Sequence, residues 1–305
     1  MKTNYTLHAA KSEKNGEIFI SPAEVIKEMA HYIQFLKGKK VYIPNTKSVS
    51  EFAYNDAFVQ FFSSKSNMKK FGIKELSYSY YDEFNNFVLI TITENSITRE
   101  MKDASDDESR LFYVFKQIDV VDVVIGNPEG NKMKNFFNYV SMSNKDYILS
   151  CNVSFIQLGC GYKSFVTNKT KFGFNKPSSF FNAQAGKPVK MGNMIWITSF
   201  DNGFNPKFIK TFYDTTCHTY EKYDNIDAIN VDCIKMIPMD YEGVMGVPAY
   251  FAADLNLEQF EIVGILSAGV SDKYLHEVSK YVVSPCGIIG GKPTFARLLI
   301  RFRNH

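Results

Sequence analysis

Residues 118–130 read Ile118-Asp119-Val120-Val121-Asp122-Val123-Val124-Ile125-Gly126-Asn127-Pro128-Glu129-Gly130, a buried-strand pattern that stops at Asn-Pro and a turn. Val and Ile with an interspersed Asp suit a central parallel strand covered on both faces. Ligands in open α/β sheets gather at the carboxyl ends of such strands. Asn127 would sit in that crevice.

The elements that must carry this loop can be read upstream. Ser21 can cap a helix, Pro22 takes its first position, Glu24 lies three residues after the cap, and Val25, Ile26, Met29 and Ile33 fall at helical spacing. Residues 39–45 form a short strand closed by Pro44, residues 52–62 an aromatic-rich helix, and residues 72–80 a second strand. Helix, strand, helix, strand at these intervals point to βαβ units and a parallel sheet. Residues 84–93 look like a hairpin arm before an acidic stretch, Asp103 to Glu108, read as a solvated loop. Met133 to Tyr139 reads as a short helix and residues 147–153 as a further strand, which completes a doubly wound domain.

From about residue 160 the texture changes. Gly, Lys, Asn and Phe alternate through Gly159 to Met191, and irregular loop plus β structure is expected. A strand over Met194 to Phe200 carries the single tryptophan, Tyr241 to Pro248 reads as a turn-rich loop, and Leu257 to Leu266 as strand or helix. Phe295 to Phe302 is a terminal strand in which Arg297 and Arg301, with Arg303 beyond, fit the alternating cations that keep an edge strand from aggregating. No internal repeat is found. The division expected is a domain over 1–157 and a second region over 158–305.

A chain of 305 residues with 45% hydrophobic and 15% aromatic content can bury a sizeable core. No run of 18 or more apolar residues occurs, and Met1-Lys2-Thr3-Asn4-Tyr5 lacks a secretory apolar region, so a soluble intracellular protein is expected, with no membrane partner. The five cysteines are odd in number and widely spaced, without a Cys-x-x-Cys pair. They read as reduced thiols, with neither a disulfide framework nor a metal site. A formal charge of +3 permits nucleic-acid binding through local patches without demanding it.

Residues 222–231, 237–248 and 258–261 resemble the C-terminal part of the EcoRI-type adenine-specific DNA methyltransferase family. Weaker likeness extends over nearly the whole chain. Residues 16–29 are similar to the family's N-terminal cofactor loop, 37–42 to its first strand, 71–76 to its second, Asp122 to Pro128 to its catalytic strand, and Asn152-Val153 to the strand after it. The resemblance implies an α/β fold, a Rossmann-like S-adenosyl-L-methionine-dependent methyltransferase sheet with a C-terminal mixed α/β target-recognition region. It also implies methyl transfer to adenine N6 in double-stranded DNA, and a cytoplasmic protein of bacterial, phage or viral origin.

Adenine's amine is a poor nucleophile, so a site must accept hydrogen bonds from the NH2 group and hold its nitrogen in line with the sulfonium methyl. In the family these acceptors are an Asn side chain and the next Pro carbonyl, a second Pro shapes the loop, and an aromatic stacks on the flipped base. This chain keeps Asn127 and Pro128, but has Glu129 at the second Pro and Gly130 at the aromatic. Losing a base stack costs roughly 1–3 kcal/mol, and Glu129 sets an anion beside phosphate. Phe136 or Phe137 could supply the missing ring. The cofactor side also departs: the family's acidic turn is replaced by Ile43-Pro44-Asn45-Thr46-Lys47. Phe19, Ile20, Ser21 and Pro22 match the cofactor loop, with Ile20-Ser21 for the family's Tyr-Thr, Pro44 and Asn45 border the cofactor, and Asp82 lies where a ribose-binding acid can be.

Three readings stay open: an active adenine-N6 methyltransferase with a divergent loop; a silent homologue that keeps DNA binding or serves a protein partner, such as an active methyltransferase subunit; and a fold retasked to another substrate with Glu129 as a working carboxylate. DNA contact is expected from Lys163, Lys169, Lys171, Lys176, Lys187 and Lys190, interleaved with aromatics and Asn.

Overall fold

The run that ends at Asn127 is a strand, Val123–Gly126, buried at every position. The computed structural model describes residues 18–44, 56–104, 106–128, 132–182, 187–267, 279–283 and 286–303. They fall into two units, 1–152 with 171–202 and 153–170 with 203–305.

In the first unit the strands are β1 (Ile18–Ile20), β2 (Lys40–Ile43), β3 (Glu75–Tyr81), β4 (Asn86–Ile92), β5 (Ile97–Asp103), β6 (Val123–Gly126), β7 (Asp146–Asn152), β8 (Lys171–Phe172), β9 (Ser179–Asn182), β10 (Lys187–Lys190) and β11 (Met194–Thr198). Its helices are α1 (Pro22–Met29), α2 (Ile33–Leu36), α3 (Ala57–Phe62), α4 (Lys65–Phe71), α5 (Asp107–Asp119) and α6 (Met133–Met142). An eight-stranded sheet runs in the order β5-β4-β3-β2-β6-β7-β11-β8. Its centre, β3-β2-β6-β7, is parallel, and antiparallel strands extend both sides. The protein is therefore a mixed α/β fold on a large mixed sheet.

The apolar runs of β2 and β6 follow from helices on both faces. On one face Val41, Ile43, Val123, Ile125 and Ile148 pack with Val25 and Met29 of α1, Phe58 and Phe62 of α3 and Phe71 of α4. On the other, Tyr113 of α5 stacks on Phe87 at 5.4 Å, and Phe137 of α6 meets Tyr147 edge-on at 5.5 Å. Pro22 opens α1, and Gly72 at φ +61° closes α4 in the left-handed conformation that suits glycine.

The second unit holds α7 (Gly159–Val166) and the strands β12 (Ile229–Asn230), β13 (Met245–Pro248), β14 (Phe260–Leu266), β15 (Tyr281–Val283), β16 (Ile288–Ile289), β17 (Lys292–Pro293) and β18 (Arg297–Phe302). A five-stranded sheet is ordered β12-β13-β18-β14-β15. Leu298, Leu299 and Ile300 of its middle strand are fully buried.

Several sequence expectations are corrected. The acidic stretch is no solvated loop: Asp103 ends β5, and the Asp106 carboxylate caps α5 by accepting the Ser109 N–H at 2.7 Å. Residues 159–166 are helical despite weak periodicity, and the segment read as a turn-rich loop contains β13, buried throughout. The aromatic helix begins at Ala57 among the described residues, capped by Asp56. The arginine-bearing terminal strand is central, hydrogen-bonded to β13 and β14 on its two sides. Arg297 is not an edge guard: it is 8% exposed and donates to Asp232 at 3.1 Å and to Asn230 at 3.3 Å.

Candidate functional site

Strand register builds the crevice. Asp122 ties β6 to β2 at the opposite end: its carboxylate accepts the Lys40 N–H at 2.8 Å, and its own N–H donates to the Lys40 carbonyl at 2.9 Å. With Val41 level with Val123 and Tyr42 with Val124, the strands emerge together. A side-chain carbon on Gly126 would lie 3.8 Å from Pro44, so Pro44 and the Gly126-Asn127-Pro128 segment are neighbours. β2 pairs with β3 on one side and β6 on the other, so the winding reverses here, where open α/β sheets bind ligands. Asn127 is half-buried and Pro128 buried.

Of the other residues singled out in the sequence, Glu129, Gly130 and Asn45 lie outside the described residues. Phe136 and Phe137 are both fully buried under the sheet, so neither ring is presented to a flipped base. Tyr139, the next aromatic of α6, donates its hydroxyl to Asp119 at 2.9 Å and stacks on Phe115 at 4.1 Å. Asp82 is held in its own hairpin. Its carboxylate accepts the N–H groups of Phe84 and Asn86 at 3.0 and 2.8 Å and the Asn86 amide at 3.0 Å. Partial desolvation opposes ionisation, but these bonds and nearby Arg99 hold the carboxyl below its usual range.

Phe19, Ile20, Ser21 and Pro22 span the end of β1 and the start of α1, and Ile20 packs in the cluster that holds Ile43 and Ile125. Ser21 occupies the cap position without a side-chain capping bond, and its buried hydroxyl has no partner among the described residues. Glu24 does not close a capping box. Its carboxylate accepts the N–H groups of Ser178 and Ser179 at 3.0 and 3.1 Å. One turn on, fully buried Glu28 accepts Tyr32 Oη at 3.1 Å and Phe174 N, Asn175 N and Asn175 Nδ2 each at 2.9 Å. Two carboxylates of α1 thus tie down residues 173–179, and β9 beyond them pairs with β1. A side chain on Gly173 would run into Glu28 and Trp196, so this strap needs glycine. Sequence reasoning passed over Glu28, whose only local signal is an acid at a core position of an amphipathic helix.

Also missed were Ser150 and Trp196, cross-strand partners on β7 and β11. Both are fully buried, and the Ser150 hydroxyl and Trp196 indole N–H lack a hydrogen-bond partner among the described residues. Gly126 is level with Leu149, the residue before Ser150.

The six lysines do not share one unit. Lys163 and Lys169 belong to the second, both exposed; Lys171, Lys176, Lys187 and Lys190 belong to the first, with Lys176 and Lys190 exposed and Lys171 half-buried.

The residues present fit S-adenosylmethionine in part. The unpartnered Ser21 hydroxyl suits a polar ligand group, whereas Asp82 is engaged in its turn and Ile43-Pro44 brings no carboxylate.

Comparison with known proteins completes this picture. The chain is 27% identical to the type II methyltransferase M.MgeORF184P of Mycoplasma genitalium, covering 96% of this chain and 97% of that protein. It is 26% identical to M.EcoRI of Escherichia coli, over 98% and 97% of the two chains. It is also 26% identical to M.MpnI of Mycoplasma pneumoniae, over 97% and 98%. No solved structure matches it significantly. A family model described as adenine-specific methyltransferase EcoRI matches residues 105–303, a span that takes in α5, β6 with the Asn127-Pro128 pair after it, and all later elements to β18. The chain belongs to the EcoRI-type family of adenine-specific methyltransferases.

Proposed function

We propose that this chain is a DNA-binding member of that family in which methyl transfer to adenine N6 is reduced or lost. The first unit is the Rossmann-like cofactor half, and the second contributes to target recognition. One observation carries the reading: Phe136 and Phe137 are buried and Tyr139 is bonded to Asp119, so α6 offers no ring for the stack that Gly130 lacks. A flipped base then loses roughly 1–3 kcal/mol of stacking, and Glu129 adds repulsion from phosphate.

S-adenosylmethionine, when bound, supplies an electrophilic methyl group. The chain's own contribution is positional. The Asn127 amide oxygen and Pro128 carbonyl accept hydrogen bonds from the adenine amine and fix its nitrogen. Phe19, Ile20, Ser21, Pro22, Pro44 and Asn45 border the cofactor, while Asp82 is engaged in its own hairpin.

A second reading, an active enzyme with a divergent loop, is favoured by the near-complete coverage of three type II methyltransferases. A tritiated methyl-transfer assay on mixed-sequence DNA, run beside a Glu129→Pro, Gly130→Phe double variant, separates the two. The expected outcome is DNA retention by both proteins in filter binding, with methylation only by the variant. Turnover by the native chain overturns the first reading, and loss of DNA binding by the native chain removes its DNA-binding half.

A further inference from the structure

Among the described residues, the outer strand of the large sheet has no strand paired on its outer side. All seven residues of β5, Ile97–Asp103, are exposed, with Ile97 at 70% and Met101 at 53%. An edge of this length presents unpaired backbone groups and is normally shortened, bulged, covered or charged. β5 is charged, but in a particular order: Arg99, Glu100, Met101, Lys102, Asp103.

The hairpin fixes which backbone groups face outward. Thr93 N–H donates to the Ser96 carbonyl at 2.9 Å, and the register continues through Thr91 with Thr98, Leu89 with Glu100 and Phe87 with Lys102. Alternate antiparallel pairs exchange hydrogen bonds, so Thr98, Glu100 and Lys102 turn their N–H and C=O groups toward β4. Ile97, Arg99 and Met101 turn theirs toward solvent.

An antiparallel copy of the same strand, centred on Met101, brings outward-facing residues level with one another. Met101 lies opposite Met101, Arg99 opposite Asp103 and Glu100 opposite Lys102, each charge pair occurring twice by symmetry. Cross-strand opposite charges stabilise a sheet and like charges oppose it. Guarding charges block pairing when they repel their own kind; these complement it. DNA is a poor occupant for the edge, because two cations and two anions alternate along it.

We propose that β5 is a self-association edge, through which two copies of this chain pair antiparallel about Met101 into one continuous sheet. The contact is isologous, as closed two-fold dimers require. A seam of one strand per copy falls below the ~1,000 Å² of a stable interface, so the dimer is weak and concentration-dependent. This proposal stands apart from whether the chain methylates DNA.

Sedimentation velocity of the full chain across the micromolar range tests it. The native protein should shift from monomer toward dimer with concentration. Glu100→Lys sets lysine against Lys102, and Lys102→Glu sets glutamate against Glu100; each alone should weaken association about tenfold, from two like-charge pairs per dimer. Mixed in equal amounts, the two variants restore both opposite pairings and should associate as the native chain does. Met101→Pro removes an outward N–H that β4 does not use, so it should abolish the dimer while the thermal transition stays in place. A native chain that stays monomeric throughout, single variants that associate as well as native, or a mixture no better than its components overturns the proposal.

Discussion

Glu28 on α1 accepts the Asn175 backbone N–H at 2.9 Å across 147 residues of chain, and the same carboxylate holds the Asn175 side chain and Phe174 N–H. No lysine or arginine is bonded to it among the described residues; the anion is solvated by N–H and O–H donors. Tyr32 is one of them, and burial, with the Glu28 charge second, pushes its phenol far up, so it remains a donor.

Glu28→Gln puts an NH2 group against donors in a fully buried place. The expected cost is about 2–4 kcal/mol. Hydrogen exchange should report it locally: protection at residues 173–182 and 18–21 falls while β6 and β7 keep theirs. Equal loss throughout would mean that Glu28 supports the whole core and not the strap in particular.

Ser150→Ala behaves in the opposite way. Among the described residues the buried hydroxyl has no partner, and neither has the indole of its cross-strand neighbour Trp196, so its removal lifts a desolvation cost. Thermal unfolding should show a neutral to slightly stabilising change, up to about 1 kcal/mol. A loss of more than that amount would indicate a bound water bridging the two groups.

Alkaline pH loosens the second unit. Burial, partly offset by the Arg297 charge and reinforced by Asp232, pushes the Tyr223 phenol up to about 12. Burial, against a hydrogen bond with the Ser279 hydroxyl, pushes Tyr162 up to about 12 as well. In the unfolded chain both titrate near 10, so above that pH the native state holds more protons and stability falls as pH rises. Their contribution is complete below about pH 10 and lost through about pH 12. Denaturant unfolding at about pH 9 and about pH 11.5 should show a smaller decline for Tyr223→Phe than for the native chain; equal declines would refute the assignment.

If the lysines track phosphate, both groups matter. Replacing Lys171, Lys176 and Lys190 with Ala should lower the slope of log K against log salt by about one per lysine, and replacing Lys163 and Lys169 should do the same. A group that leaves the slope unchanged is not at the DNA interface.

The central strands were legible because a strand covered on both faces writes its burial as a continuous apolar run, as at Val123-Val124-Ile125. The Pro22 helix start was legible too. The fate of Glu24 was not, since its partners, Ser178 and Ser179, lie 154 and 155 residues away and nothing local marks them. Arg297 misled for a related reason: alternation alone suits an edge, and the partners that make a cation tolerable in a central strand, Asp232 and Asn230, lie 65 and 67 residues earlier. Asp106 was hidden among neighbouring acids, where charge density suggested solvent and the spacing to Ser109 carried the cap. Toward the candidate site, the sequence showed the buried strand that ends before Asn127 and Pro128, but the burial of Phe136 and Phe137 depends on how α6 lies on β7.

The pairing of β1 with β9, braced by Glu24 and Glu28, also has a consequence for biosynthesis. Ile18–Ile20 and α1 leave the ribosome before the strap that completes them, which lies almost 150 residues behind, as the Glu28–Asn175 separation of 147 measures. At about 5–20 residues per second this is a delay of roughly 7–30 seconds. Until then the Glu24 and Glu28 carboxylates lack the N–H donors of the strap and β1 lacks the strand it pairs with. Chains truncated between β7 and β9 should therefore depend on chaperones, however complete their parallel sheet.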